Sequence, residues 1–338
     1  LTLIACVSFL TEPEKGSKTM LRTTALAATF GLIGSLAHAD TLTFYTAGPG
    51  GLADALAEAF KAETGITVNV FQGTTGQVMA RLEAEEANPQ ADVVVSASWG
   101  SAVDMHERGL LLDYLSPNAA AVPDFLKHSH YVAQGISALA MVWNNQSGVP
   151  RPAEWSDLTN EVYRDLITMP DPAQSGAAFD LVAGLEAALG DGAWELLGSL
   201  ADNGMIVPGP NAAALNPVLQ GAAAVVFGAV DYISYGQAAS GETIEVIVPA
   251  SGTVIAPRPM MILQSAANPD AAKAFVDFVL SDVGQELVAA TWMMPARADV
   301  EGLRPGISDL NVIEVDEDAV AARRDEIIAR FNATVINR

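Results

Sequence analysis

Three successive strand–loop–helix units open the ordered part of this chain, and they restrict the fold more than any other feature. Thr41-Leu42-Thr43-Phe44-Tyr45 reads as a buried strand. The Gly-rich loop Ala47–Gly51 follows, then residues 52–63, which put Leu52, Leu56, Ala59 and Phe60 on one helical face before Gly65 stops the helix. Ile66–Phe71 is the second strand, and Gly73-Thr74-Thr75-Gly76 opens a helix carrying Val78, Met79 and Leu82. Ala91–Ser96 is the third strand; Ala97-Ser98-Trp99-Gly100 leads into a helix over 101–108 that ends at Gly109. Repeated units of this kind predict an α/β fold with a parallel sheet and right-handed crossovers. Ligands of such sheets bind beyond the carboxyl ends of the strands. The loops starting at Thr46, Gly73 and Ser96 are therefore expected along one edge of one cleft.

Farther on, Gln134–Trp143 is a long apolar strand and a candidate crossing between lobes. The middle section predicts helices near 178–189, 192–202 and 212–221, then a strand at Ala222–Phe227. Ile244–Val248 and Ala256–Leu263 read as strands returning to the first lobe. Asn268-Pro269 starts an amphipathic helix with Ala272, Phe275, Val276 and Val279 inward, and a last helix spans about 317–332.

The first 39 residues read as export information. Arg22, the apolar run Ala25–Leu36 and Ala37-His38-Ala39 form a charged region, a short apolar core and a small-x-small cleavage site, with Met20 as the expected start and Asp40 as the expected mature N-terminus. Cys6 is the only cysteine, so the expected mature chain has no disulfide and no thiolate chemistry. The remaining length of about 300 residues suggests two lobes, each with a core. A net charge of −23 argues against nucleic acid and anionic membrane as partners. Any anionic ligand must then be held by local donors.

Such donors are legible at Asp171-Pro172-Ala173-Gln174-Ser175-Gly176-Ala177-Ala178-Phe179. Ser175-Gly176 falls at a helix start, where unpaired N–H groups and the helix dipole favour an anion, although Ser175 also suits a plain N-cap. Thr46, Thr74, Thr75 and Gly76 sit at loop and helix starts of the expected cleft, as ligand donors or as caps. Tyr45 closes the first strand and either meets the ligand or fills the edge of the core. Ser96 and Trp99 follow the third strand, with Trp99 a candidate wall. Asp231 and Tyr232 close a strand of the second lobe. Arg258, between Pro257 and Pro259, is rigidly placed to meet an anion or to brace the lobes. His128-Ser129-His130 alternates like a strand edge, but no third ligand stands near it in sequence, so no metal site is expected.

Three segments together resemble the periplasmic solute-binding proteins of ABC importers, of the type that includes ferric-ion and phosphonate binders. They are Phe44-Tyr45-Thr46 with Thr64-Gly65-Ile66-Thr67-Val68, then Asp171-Pro172 with Ser175-Gly176, then Asn268–Phe278 with Ser281-Asp282-Val283-Gly284-Gln285. The resemblance covers almost the whole mature chain. It implies the type 2 periplasmic-binding-protein fold: two α/β lobes, each a mainly parallel sheet flanked by helices, joined by a hinge. Lobe 1 is expected over 40–138 with 250–338, and lobe 2 over 139–249. The ferric-ion members bind an anion through Ser-Gly-Ala donors, which Ser175, Gly176 and Ala177 match. They also present two adjacent tyrosines, of which Asp231-Tyr232-Ile233-Ser234-Tyr235 keeps one in place, Tyr232. Where many of them carry a His and a Glu, this chain has Gly48-Pro49-Gly50 and Ser98-Trp99. One tyrosinate is a thin supply for a hard trivalent cation.

The resulting expectation is a monomeric, non-catalytic periplasmic protein without cofactor. It captures a small anionic solute, a phosphonate or phosphate ester, and delivers it to an ABC permease in the inner membrane. The alternatives are a ferric-ion binder using Tyr232 with a synergistic anion at Ser175-Gly176, a periplasmic sensor partner, or an enzyme on a similar bilobal fold. An enzyme needs a nucleophile or an acid–base pair, and no nucleophile elbow, Walker loop or close His–carboxylate pair is present in the sequence.

Overall fold

The computed structural model describes residues 41–338; the expected leader and its cleavage site lie outside them. Strand β1 (Thr41–Thr46), helix α1 (Gly50–Thr64), β2 (Thr67–Gln72), α2 (Thr75–Ala84), β3 (Val93–Val95) and α3 (Gly100–Glu107) follow the three expected units. Gly65 ends α1 in the left-handed region at φ 79° and donates its N–H to Lys61. β1 pairs in parallel with β2 on one side and β3 on the other.

Next come β4 (Lys127–His128), β5 (Tyr131–Asn144), β6 (Ile167–Thr168), α4 (Gly176–Leu189), α5 (Asp191–Asp202) and α6 (Asn211–Leu219). They are followed by β7 (Val225–Val230), α7 (Asp231–Ala239), β8 (Ile244–Ile247), β9 (Ile255–Ile262), α8 (Pro269–Val279) and α9 (Asp282–Ala290). β10 (Met294–Pro295), α10 (Glu317–Ala322) and α11 (Arg324–Phe331) complete the order.

β5 is the organising strand. Tyr131–Ala138 pairs with β9, with β4 and β10 also on this part, whereas Leu139–Asn144 pairs with β7 and β8. One strand therefore serves two sheets and changes partners between Ala138 and Leu139. Each half is a sheet flanked by helices, the two-lobed α/β arrangement. Both sheets are mixed: β2-β1-β3 and β6-β7 are parallel, while β5, β8 and β9 run antiparallel to their neighbours as the chain returns. The first half closes its core with α8, whose Phe275 ring lies 5.0 Å from Phe44 and 5.2 Å from Phe60.

Two elements differ from the sequence pattern. The strand expected at 222–227 forms at 225–230, because the N–H groups of Ala222 and Ala223 are taken by the Pro217 carbonyl at the end of α6. The last helix is broken at Arg323. Its two pieces span both halves: α10 packs on α3, α11 on α4, and Arg330 reaches Asp191 at 2.7 Å. Among the described residues no helix is long and apolar enough to cross a membrane.

Candidate functional site

The start of α4, in the second half, lies close against the first. Ser175 caps the helix, its Oγ accepting the Ala178 N–H at 3.2 Å and the Asn211 Nδ2–H at 2.8 Å. With both acceptor positions used, the Ser175 O–H proton is left to donate. The N–H groups of Gly176 and Ala177 belong to the first turn, which has no intrahelical acceptors. Gly176 is required by sterics: a Cβ there would lie 2.8 Å from Ser98 Cβ, 2.9 Å from the Ala97 carbonyl carbon and 2.9 Å from Thr75 Oγ1. The start of α2 faces the same place, since a Cβ on Gly76 would come 3.1 Å from the Ala173 carbonyl oxygen. Two helix N-termini thus converge. Thr75 Oγ1, buried between them, has no hydrogen-bond partner among the described residues. Ser98 Oγ crosses the junction and donates to Asp180 Oδ1 at 2.7 Å. Neither Ser98 nor Asp180 stood out in the sequence; Ser98's place in the third loop was the available signal.

Arg258, on β9, bridges the two halves at a second place. Pro257 and Pro259 on either side donate nothing to the sheet, and the β5–β9 register shifts opposite them, between Ala133 and Ile136. The Arg258 side chain passes into the protein interior and is 1% exposed. Nη1 donates to the Ala47 carbonyl at 3.0 Å, beyond the end of β1, and Nη2 to the Tyr232 hydroxyl at 3.2 Å, from the other half. Nε has no partner, and among the described residues no carboxylate lies within ion-pair distance. Ser96 is next to it, its N–H bonded to the Pro259 carbonyl.

A second buried arginine, Arg304, comes from the irregular segment after β10, where no periodic pattern marks it. Its Nη2 lies 2.5 Å from Asp231 Oδ2, its guanidinium 5.0 Å from the Tyr235 ring centroid, and among the described residues its Nε and Nη1 have no partner. Asp231 is fully buried and also accepts the Ala138 N–H at 2.9 Å. Burial pushes its carboxyl up to about 6, against the pull of Arg304 and of the Ala138 and Tyr232 N–H groups. Tyr235 stacks on Trp292 with centroids 6.1 Å apart, and burial raises its phenol. It therefore forms no pair with Tyr232.

The remaining candidates are engaged elsewhere. The Tyr45 hydroxyl bonds both Glu85 carboxylate oxygens, at 3.1 and 2.9 Å, at the far end of α2 from Thr75. Burial, then Glu85, raises its phenol. Thr74 forms a capping box with Gln77. Thr46 Oγ1 accepts the Gly48 N–H, and Ser96 Oγ the Ser98 N–H. Trp99 turns its edge to Tyr131, centroids 5.1 Å apart. A cavity of about 1210 Å³ between α2, α3 and α11 reaches Thr75, Gly76 and Ser98, and its charged lining is mixed, with Glu83, Glu86, Asp104 and Asp325 beside Arg108 and Arg324. Neither Arg258 nor the Ser175–Ala177 start of α4 lines it. The sequence shows no third ligand near His128 and His130, but α3 brings His106 beside them.

Residues 88–317 match the family described as bacterial extracellular solute-binding protein. The chain belongs to that family. A Salmonella typhimurium relative, named for 2-aminoethylphosphonate binding in the periplasm, is 27% identical over 251 residues, covering 72% of this chain and 73% of the relative. Among solved structures, the periplasmic binding protein AfuA of Actinobacillus pleuropneumoniae, with fructose-6-phosphate bound, superposes with TM-score 0.82 at 24% identity, over 88% of this chain and 99% of AfuA. Iron-bound HitA of Pseudomonas aeruginosa gives TM-score 0.76 at 19% identity, over 87% and 99%. At these identities both structures speak for the fold, the one expected from the three sequence segments.

Proposed function

We propose that this solute-binding protein is the periplasmic component of an ABC import system, capturing a small anionic solute of the phosphonate or phosphate-ester class for an inner-membrane permease. One observation carries the reading: Arg258 is a buried cation with no counter-ion among the described residues, bonded to both halves through Ala47 and Tyr232. Burying an unpaired charge is costly, and a bound anion offsets that cost. The Ser175 hydroxyl, the N–H groups of Gly176 and Ala177, and Thr75 Oγ1 supply further donors, at helix N-termini that favour negative charge. Asp231 is committed to Arg304, so it repels the anion little and receives no ammonium group. The phosphorus end, common to phosphonates and phosphate esters, is the end recognised.

Closure is a hinge motion of two bodies, 40–138 with 250–338 against 139–249, about β5 near Ala138–Leu139 and the β8–β9 connection. Helix α11 is the exception to this division by chain order: it lies within 250–338 but packs on α4 of the second body. Ferric ion fits less well: the Tyr232 oxygen lies 3.2 Å from a guanidinium nitrogen, and Tyr235 is stacked away on Trp292.

Mass spectrometry of solute released by denaturing the purified protein, with metal analysis of the same sample, tests this reading. A phosphorus-containing anion near one per chain is expected, with iron far below one. Stoichiometric iron with a visible band lost in Tyr232→Phe would overturn it.

A further inference from the structure

We infer that the protein carries a second site, separate from the cleft: a three-histidine site for a divalent transition-metal ion at the C-terminal end of α3. His106 lies in the last turn of α3, and His128 and His130 flank Ser129 at the tight turn between β4 and β5. Three of the chain's four histidines meet here. Their ring centroids are 4.6 Å (His106–His128), 4.3 Å (His106–His130) and 5.6 Å (His128–His130) apart. One ring nitrogen from each lies within 4.8 Å of the others. Zinc–imidazole bonds of about 2.0–2.1 Å in tetrahedral geometry put ligand nitrogens roughly 3.3 Å apart. Half-buried side chains close that difference by small rotations.

The surroundings suit a borderline cation. Ser129 Oγ is 2.8 Å from His130 Nδ1; in the tautomer whose Nδ1–H donates to that hydroxyl, Nε2 keeps the lone pair that binds metal. His128 is held flat against Tyr131, centroids 4.8 Å apart and planes inclined by 22°. Glu107 lines the adjoining surface pocket, and the cation there, Lys127, is neutralised by Asp124 at 3.1 Å. Three imidazole ligands plus water make a zinc, nickel or copper site and a poor one for the hard ions magnesium and calcium. Bound metal would staple α3 to the β4–β5 turn. Tyr131 also contacts Trp99, so tryptophan emission should report occupancy.

The test is calorimetric titration of chelator-treated, tag-free protein with zinc chloride, followed in parallel by tryptophan emission. One zinc per chain is expected. His106→Ala and His130→Ala should each weaken binding at least tenfold and abolish the zinc-dependent rise in melting temperature. His130→Ala, at a surface turn, serves if His106→Ala fails to fold. Absence of stoichiometric binding, or binding unchanged in the variants, overturns the inference. Arg258→Gln should leave zinc affinity unchanged, which separates this result from the solute reading.

Discussion

Asp231 lies at the first position of α7 with no exposed surface, and burial outweighs the arginine beside it. Its carboxyl titrates near 6 in the folded protein, against about 3.9 unfolded. For a raised acid, the stabilising effect is complete below the unfolded value and is lost as pH rises through the folded one. Asp231→Asn, neutral throughout, should therefore gain stability on the wild type between about pH 4 and about pH 7. Urea unfolding across that range measures it; a wild-type advantage growing with pH would mean that Arg304 outweighs burial. Ser175→Ala should cost about 1 kcal/mol of stability as a lost cap. It should also cost roughly 1.5–3 kcal/mol of anion binding, about ten- to a hundredfold. Calorimetry on the variant checks both magnitudes against the melting curve. At this scale the sequence was a partial guide. Ser175, Gly176 and Thr75 announce themselves through helix-start chemistry. Arg304 does not, because its role depends on an irregular segment reaching a strand end more than seventy residues earlier in the chain. Tyr45 reads alike as cleft or core, since only the fold shows which side of the sheet it faces.

The starts of α2 and α4 act together through Gly176, whose missing side chain lets α4 approach the Ala97-Ser98 backbone and Thr75. In the hinge account that approach belongs to the closed form. Gly176→Ala should weaken solute binding more than Ser175→Ala does and move the unliganded melting temperature by no more than a few degrees. Differential scanning fluorimetry with and without solute tests this; a large fall in melting temperature with unchanged affinity would mark the contact as permanent. The elements themselves were mostly legible, since periodicity and Gly or Pro punctuation act locally. Where they slipped, a long-range contact decided. Ala222–Ala224 suits either a strand or a helix tail, and the Pro217 carbonyl takes two of its N–H groups for the tail. Residues 317–332 contain no Gly or Pro to mark a break, yet the helix turns at Arg323 to cover α3 with one piece and α4 with the other.

The whole molecule sets an acidic field around a cationic junction. With a net charge of −23, the protein repels an approaching anion at long range, while Arg258 and the α4 N–H groups attract it over a short, desolvated distance. Salt screens the first effect more than the second. Stopped-flow association rates for a phosphate ester should therefore rise from low to physiological ionic strength; a steep fall would require a cationic approach path. The division into two halves was foreseeable from the long apolar strand and the two returning strands, whereas the C-terminal bridge between them was not. The central claim is that the halves trap an anion against Arg258. Calorimetric titration with 2-aminoethylphosphonate, fructose 6-phosphate and inorganic phosphate, on wild type and on folded Arg258→Gln, tests it most directly. The account predicts saturable binding of at least one of these anions, weakened by about 2–5 kcal/mol, roughly thirtyfold or more, in the variant. Equal affinity in both proteins, or no binding of any anion by the wild type, would contradict it.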